Sequence, residues 1–155
     1  MKTLYHYTHH KALLGILKEG NIKLATASAE KTKPIAWLST NKDFEPTALK
    51  GWFDEVNNQR GSFTLEQQFE KFGLARIEVK HTKNIHTWGK LKHLAKYKDQ
   101  SFINGLEDAA YSSGAKPSNW YGSLYPIAND KFIKVEIFNG KNWVLYENEK
   151  ELNIK

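Results

Sequence analysis

The period of hydrophobic and polar positions changes several times along this chain, and each change marks an element. Residues 3–8 (Thr3-Leu4-Tyr5-His6-Tyr7-Thr8) are rich in β-branched and aromatic types and predict a short strand. Ala12, Leu13, Leu14, Ile16 and Leu17 then fall on one side of a helix, which Gly20 stops after Lys18-Glu19. Asn21 to Ala25 is a short extended piece, and the small, polar run from Thr26 to Lys33 is a loop. Pro34 to Thr40 has the apolar content of a buried strand. After a turn at Asn41-Lys42-Asp43, the span from Phe44 to Val56 is expected to be helical, with Pro46 in its first turn.

Residues 57–71 are polar and carry no clear period, although Thr64 to Phe69 suits a helix. From Leu74 to His81 the alternation is strict: Arg76, Glu78 and Lys80 lie on one side, with Ala75, Ile77 and Val79 on the other. A Lys-rich segment with helical spacing follows at 90–98, then a second short helix at 102–112. Gly114 to Pro126 carries turn residues and aromatics and reads as a structured loop. Phe132 to Phe138 alternates again, Asn139-Gly140 makes a hairpin turn, and Trp143 to Tyr146 returns as a strand. Strands separated by helices early and a hairpin late predict a single α+β domain over 1–155.

Composition narrows the chemistry. Aromatic residues make up 13% of the chain, enough to supply much of one core. With no cysteine there is no disulfide, thiolate nucleophile or Cys-ligated metal site, as expected of a cytoplasmic protein. No apolar stretch approaches the roughly 18–20 residues of a membrane helix, so no membrane partner is expected. The formal charge of +6 favours encounters with polyanions or phosphorylated molecules. Arg is scarce, however, and evenly spread Lys also serves solubility.

Four segments carry the candidate chemistry. In Tyr5-His6-Tyr7-Thr8, alternation puts His6 and Thr8 on one face and the two tyrosines on the other. Such a pair suits a ribose or an amide, and equally an ordinary core histidine bonded to a carbonyl. Trp37-Leu38-Ser39-Thr40 ends an apolar strand with two hydroxyls, and Glu45 opens the following helix, where its charge is favoured. Asn119 to Pro126, with Trp120, is either a ring-binding wall or a loop pinned to the core. Glu136 interrupts an apolar strand, so it needs solvent, a partner or a catalytic role; Glu78 poses the same question. Adjacent His9 and His10 point apart and have no carboxylate support, so no metal is expected. No Gly-rich phosphate loop or nucleophile elbow occurs.

Taken in order, these segments resemble the ADP-ribosyltransferase superfamily. Tyr5-His6-Tyr7-Thr8-His9 is similar to the opening strand of the bacterial toxins that modify DNA bases. Trp37-Leu38-Ser39-Thr40 stands where the superfamily's second strand ends in a Tyr or a Ser-Thr pair, and Glu136 where a late strand carries the acid. The likeness covers the first 50 residues and, by order and type, the last strands. It implies a split β-sandwich of two short sheets with flanking helices, and NAD as substrate without a metal. It also implies an NAD-dependent mono-ADP-ribosyltransferase, a glycosyltransferase of the toxin or phage-conflict kind, acting on a nucleic acid or protein acceptor. His6 and Thr8 would hold ribose, and Tyr7 or Trp120 would stack on nicotinamide. Trp37, Ser39 and Thr40 would line the site, and Glu136 would stabilise the transition state, with Glu45 as rival. A metal-independent ribonuclease using His6 beside the 90–98 helix, and a non-catalytic nucleotide-binding protein, are the alternatives.

Overall fold

The structure is a computed structural model that describes residues 2–26, 32–97, 99–152 and 154. It is a mixed α+β fold with eleven strands and four helices among the described residues. The strands are β1 (Leu4–Thr8), β2 (Asn21–Ile22), β3 (Ala36–Ser39), β4 (Gly51–Asp54), β5 (Gln59–Ser62), β6 (Ala75–Val79), β7 (Ile85–Thr87), β8 (Trp120–Ser123), β9 (Ile127–Ala128), β10 (Phe132–Phe138) and β11 (Trp143–Leu145). The helices are α1 (His10–Glu19), α2 (Leu65–Phe72), α3 (Trp88–Leu94) and α4 (Gln100–Ser112).

Seven strands form one antiparallel sheet in the order β11-β10-β6-β1-β3-β8-β7; β2-β9 and β4-β5 are separate two-stranded ribbons. By hydrogen bonding this is one large sheet, where two short ones are expected. Its centre is thin, however. β1 and β6 share five register pairs and β3 and β8 share four, whereas β1 and β3 meet only at Tyr5↔Ser39. Residues opposite each other in a ladder share a face. Tyr5, Ser39 and Trp120 therefore lie on one side with Tyr7, Arg76 and Glu136.

The opposite face packs on α1. Leu13 is fully buried there against Leu4, Leu38, Ile77 and Ile137, with Ile16 and Leu17 at the margin. The helix ends as the sequence indicates, with Gly20 at φ 79° and its N–H returned to the Ile16 carbonyl. Across the sheet, Trp88 and Leu91 of α3 and Ile103 and Ala110 of α4 pack with Trp120. A third cluster gathers Tyr5, Tyr7, Phe44 and Leu74, with Phe69 of α2 beside it.

Two expectations about single elements are corrected. The helix from Phe44 to Val56 is only a single 3-10 turn, Pro46–Ala48, after which the chain enters β4. Trp52 and Phe53 pair with Gly61 and Arg60 instead, because flanking glycines let two strands approach where helix propensity is weak. The loop from Gly114 to Pro126 contains β8, an inner strand of the large sheet. Gly122 there permits close contact with α3: a Cβ at that position would lie 2.7 Å from Leu91 Cδ2 and Ile35 Cγ2. The hairpin at Asn139-Gly140 forms as expected: Phe138 pairs with Trp143, Gly140 takes φ 100°, and Asn139 Oδ1 accepts from the N–H groups of Lys141 and Asn142. The Thr26–Lys33 loop lies partly outside the described residues, as does the end of the 90–98 segment at Lys98.

Candidate active site

Where β1 and β3 part, side chains replace the backbone ladder. His6 Nδ1 sits 2.9 Å from the Trp37 carbonyl. A carbonyl only accepts, so Nδ1 carries the proton and Nε2 is left with its lone pair. Burial holds the His6 pKa below its ordinary 6.5, opposed in part by that hydrogen bond, so the ring is neutral near pH 7. The Tyr7 hydroxyl donates to the Asn41 carbonyl, and burial raises its pKa well above the usual value, so it stays a donor.

A cavity of about 540 Å³ opens at this seam. That is within the roughly 300–1,000 Å³ common for small-molecule sites. Tyr5, His6 and Tyr7 of β1 line it together with Trp37, Leu38 and Ser39 of β3 and Trp120 of β8. Leu106, Ala109 and Ser113 form a wall from α4 and the residue after it, and Tyr97 contributes from the loop before it. Ser39, Glu45 and Thr47, hydrogen-bonded to one another, form a polar group in its lining.

Glu45 is held unusually well for an acidic side chain on a short connection. It is 6% exposed. Ser39 Oγ donates to Oε1 at 2.8 Å, and Thr47 donates twice to Oε2, through Oγ1 at 2.6 Å and its backbone N–H at 3.2 Å. Glu45 also caps the 3-10 turn, which accounts for the Thr47 N–H contact. The Ser39 bond has no such local origin: it ties the carboxylate to the end of β3 beside the cavity.

Glu136 has a different setting. It is equally buried, but its Oε1 accepts from Arg76 Nε at 2.9 Å, and it does not line the cavity. The Arg76 guanidinium also donates to the Lys42 carbonyl and lies over Tyr5 and Trp143, at 4.3 and 4.5 Å from the ring centroids. The late carboxylate thus joins β6 to β10 through a buried ion pair with Arg76, and its Oε2 also lies 3.8 Å from the more exposed Lys134 Nζ. Glu78 faces Lys134 at 3.9 Å near the surface.

The remaining sequence candidates divide. Thr8 is half-buried at the end of β1 and does not line the cavity. Thr40 donates to Asn119 Oδ1 at 3.0 Å, tying β3 to the turn before β8. Trp120 is packed edge-on against Trp37 and Trp88, so it forms cavity wall and core together. The structure therefore brings His6, Tyr7, Trp37, Ser39, Glu45 and Trp120 together and leaves Thr8, Thr40 and Glu136 outside. Sequence reasoning missed Thr47, Lys33, Tyr97 and the α4 wall. Only the spacing of Leu106, Ala109 and Ser113 on one helical face hinted at that wall. Among the described residues no group of three or more potential metal ligands occurs, and no helix is long and apolar enough to cross a membrane.

No protein-family model matches the chain, and neither a curated protein nor a solved structure does so significantly.

Proposed function

We propose that the cavity at the β1–β3 seam binds NAD and that the chain is an NAD-dependent mono-ADP-ribosyltransferase, with Glu45 as its catalytic carboxylate. The observation that carries this reading is the convergence of His6, Ser39 and a buried, hydrogen-bonded Glu45 on one cavity. It is supported by the likeness of the opening strand and the Ser39-Thr40 strand end to that superfamily. The split sandwich belongs to the same proposal: the single pair Tyr5↔Ser39 is its hinge line, and the parted strands beyond it admit the dinucleotide.

The chemistry follows from charge. As the bond between ribose C1′ and the nicotinamide nitrogen breaks, its electron pair leaves with nicotinamide and neutralises the pyridinium. Positive charge then develops on the ribose. A carboxylate already fixed beside it, here by Ser39 and Thr47, stabilises that charge without reorganising. The acceptor, a nucleic acid or protein group, adds its lone pair to C1′ and gives its proton to solvent. His6 Nε2 accepts from a ribose hydroxyl, a role that requires the neutral ring. Tyr5 and Tyr7 supply apolar ring surface at this end.

NAD should raise the melting temperature, because it binds only the folded state. Glu45→Gln should lower nicotinamide release by about 100-fold or more while leaving NAD affinity within a few-fold. Glu136→Gln should keep turnover. An unchanged melting curve at millimolar NAD, with no nicotinamide release in the presence of nucleic acid or protein acceptors, defeats the proposal. Recovery of bound NAD intact by mass spectrometry, with no transfer product, defeats the catalytic half of it and leaves a nucleotide-binding protein.

A further inference from the structure

Among the described residues that line the cavity, only two carry a formal charge: Glu45 and Lys33. They stand at opposite ends. Glu45 is bonded to Ser39, the last residue of β3, whereas Lys33 precedes the bridge residue Ile35 that leads into that strand. The four steps from Ile35 to Ser39 alone span about 13 Å at the rise of an extended chain. Lys33 is also anchored at its backbone. Its N–H donates to the Ala95 carbonyl at 3.0 Å, and the neighbouring Thr32 hydroxyl donates to the same carbonyl at 2.8 Å. The residue is exposed, and Tyr97 and Trp37 give the cavity aromatic lining besides Trp120, which stands opposite Ser39.

NAD carries its charges in the same arrangement. The pyridinium and the glycosidic bond occupy one end, the diphosphate lies in the middle, and the adenine ring, uncharged and flat, occupies the other end. We infer that Lys33 binds the diphosphate and, with the aromatic lining of Tyr97 and Trp37 taking adenine, sets the direction in which the dinucleotide lies, so that the nicotinamide ribose meets Glu45. This inference rests on the NAD reading above and adds a residue that determines orientation. The reversed ligand would keep its diphosphate in the middle but set its cationic pyridinium toward Lys33 and its uncharged adenine toward Glu45, so the attraction between pyridinium and carboxylate forms in one direction only. A flexible ammonium at a rim suits this task, because it acts as a point charge and needs no fixed fork.

The test is calorimetric titration of wild type, Lys33→Ala and Lys33→Glu with NAD, ADP-ribose and nicotinamide riboside, which lacks phosphate. Loss of one charge-assisted contact should weaken ADP-ribose and NAD by about tenfold in Lys33→Ala, and further in Lys33→Glu. Nicotinamide riboside should change less than twofold. In turnover, kcat/KM for NAD should fall as the diphosphate contact is lost, and kcat should fall as well because part of the NAD then lies reversed and unproductive. The unliganded melting temperature should stay level, as the side chain is exposed. Wild-type affinity for ADP-ribose in both variants overturns the inference while leaving the NAD reading intact. An equal loss for nicotinamide riboside overturns it too, by placing Lys33 at the wrong end. Wild-type protein that binds neither NAD nor ADP-ribose removes both.

Discussion

Among the described residues two carboxylates, Glu45 and Glu136, are buried in different settings, and breaking the Arg76–Glu136 pair measures one of them directly. The side chains are 9% and 8% exposed, and Nε and Oε1 lie 2.9 Å apart. Truncating one partner of such a pair leaves the other charged and desolvated, which typically costs about 3–5 kcal/mol. In Glu136→Ala the guanidinium retains the Lys42 carbonyl and the faces of Tyr5 and Trp143. Those contacts place the expected loss at the low end, about 3 kcal/mol. At about 2–4 °C per kcal/mol for a chain of this size, the melting temperature should drop by about 6–12 °C. Glu136→Gln keeps an acceptor for Nε and should lose about 1–2 kcal/mol. The double variant Arg76→Met/Glu136→Leu removes both charges and should return to within about 1 kcal/mol of wild type. Urea denaturation with linear extrapolation reads all three. A Glu136→Ala loss below about 1 kcal/mol, or a double variant no better than the single one, refutes the account of a buried pair whose partner is stranded by truncation.

Two further outcomes follow from the same structure. His6, His9 and His10 all have pKa values depressed chiefly by burial, with His9 at about 4. The unfolded chain binds protons at these sites first, so stability should hold above pH 6.5 and decline as pH falls from there toward 4. His9 also accepts the Ala12 N–H at the start of α1, so His9→Asn should keep the cap and flatten part of that decline. A melting temperature that rises on acidification from pH 6.5 to 5 would contradict this sign. Gly122→Ala should destabilise by about 1–3 kcal/mol in chemical denaturation, because its Cβ would stand 2.7 Å from Leu91 Cδ2 in a packed core; a neutral effect would mean that α3 shifts freely.

Much of the fold was legible in the chain itself. The strict alternation of Ala75–Val79 and Phe132–Phe138, and the apolar side of α1 closed by Gly20, are local patterns that burial then satisfies. The charge balance, the lack of thiols and the polar ends of β1 and β3 likewise belong to the sequence. Phe44 to Val56 escaped because its strand content depends on a partner, Gln59–Ser62, that propensity does not see. Trp120–Ser123 escaped because its turn-like residues sit in a strand flanked by β3 and β7. The two acids could not be ranked from sequence. Glu136 faces Arg76 through the register of two strands 60 positions apart, and Glu45 reaches Ser39 only because the helix expected around it is a single turn. Side-chain identity therefore determined which groups were available for chemistry. Strand register and the parting of β1 from β3 decided which of them face the cavity, since a pairing shifted by one residue turns every side chain to the other face.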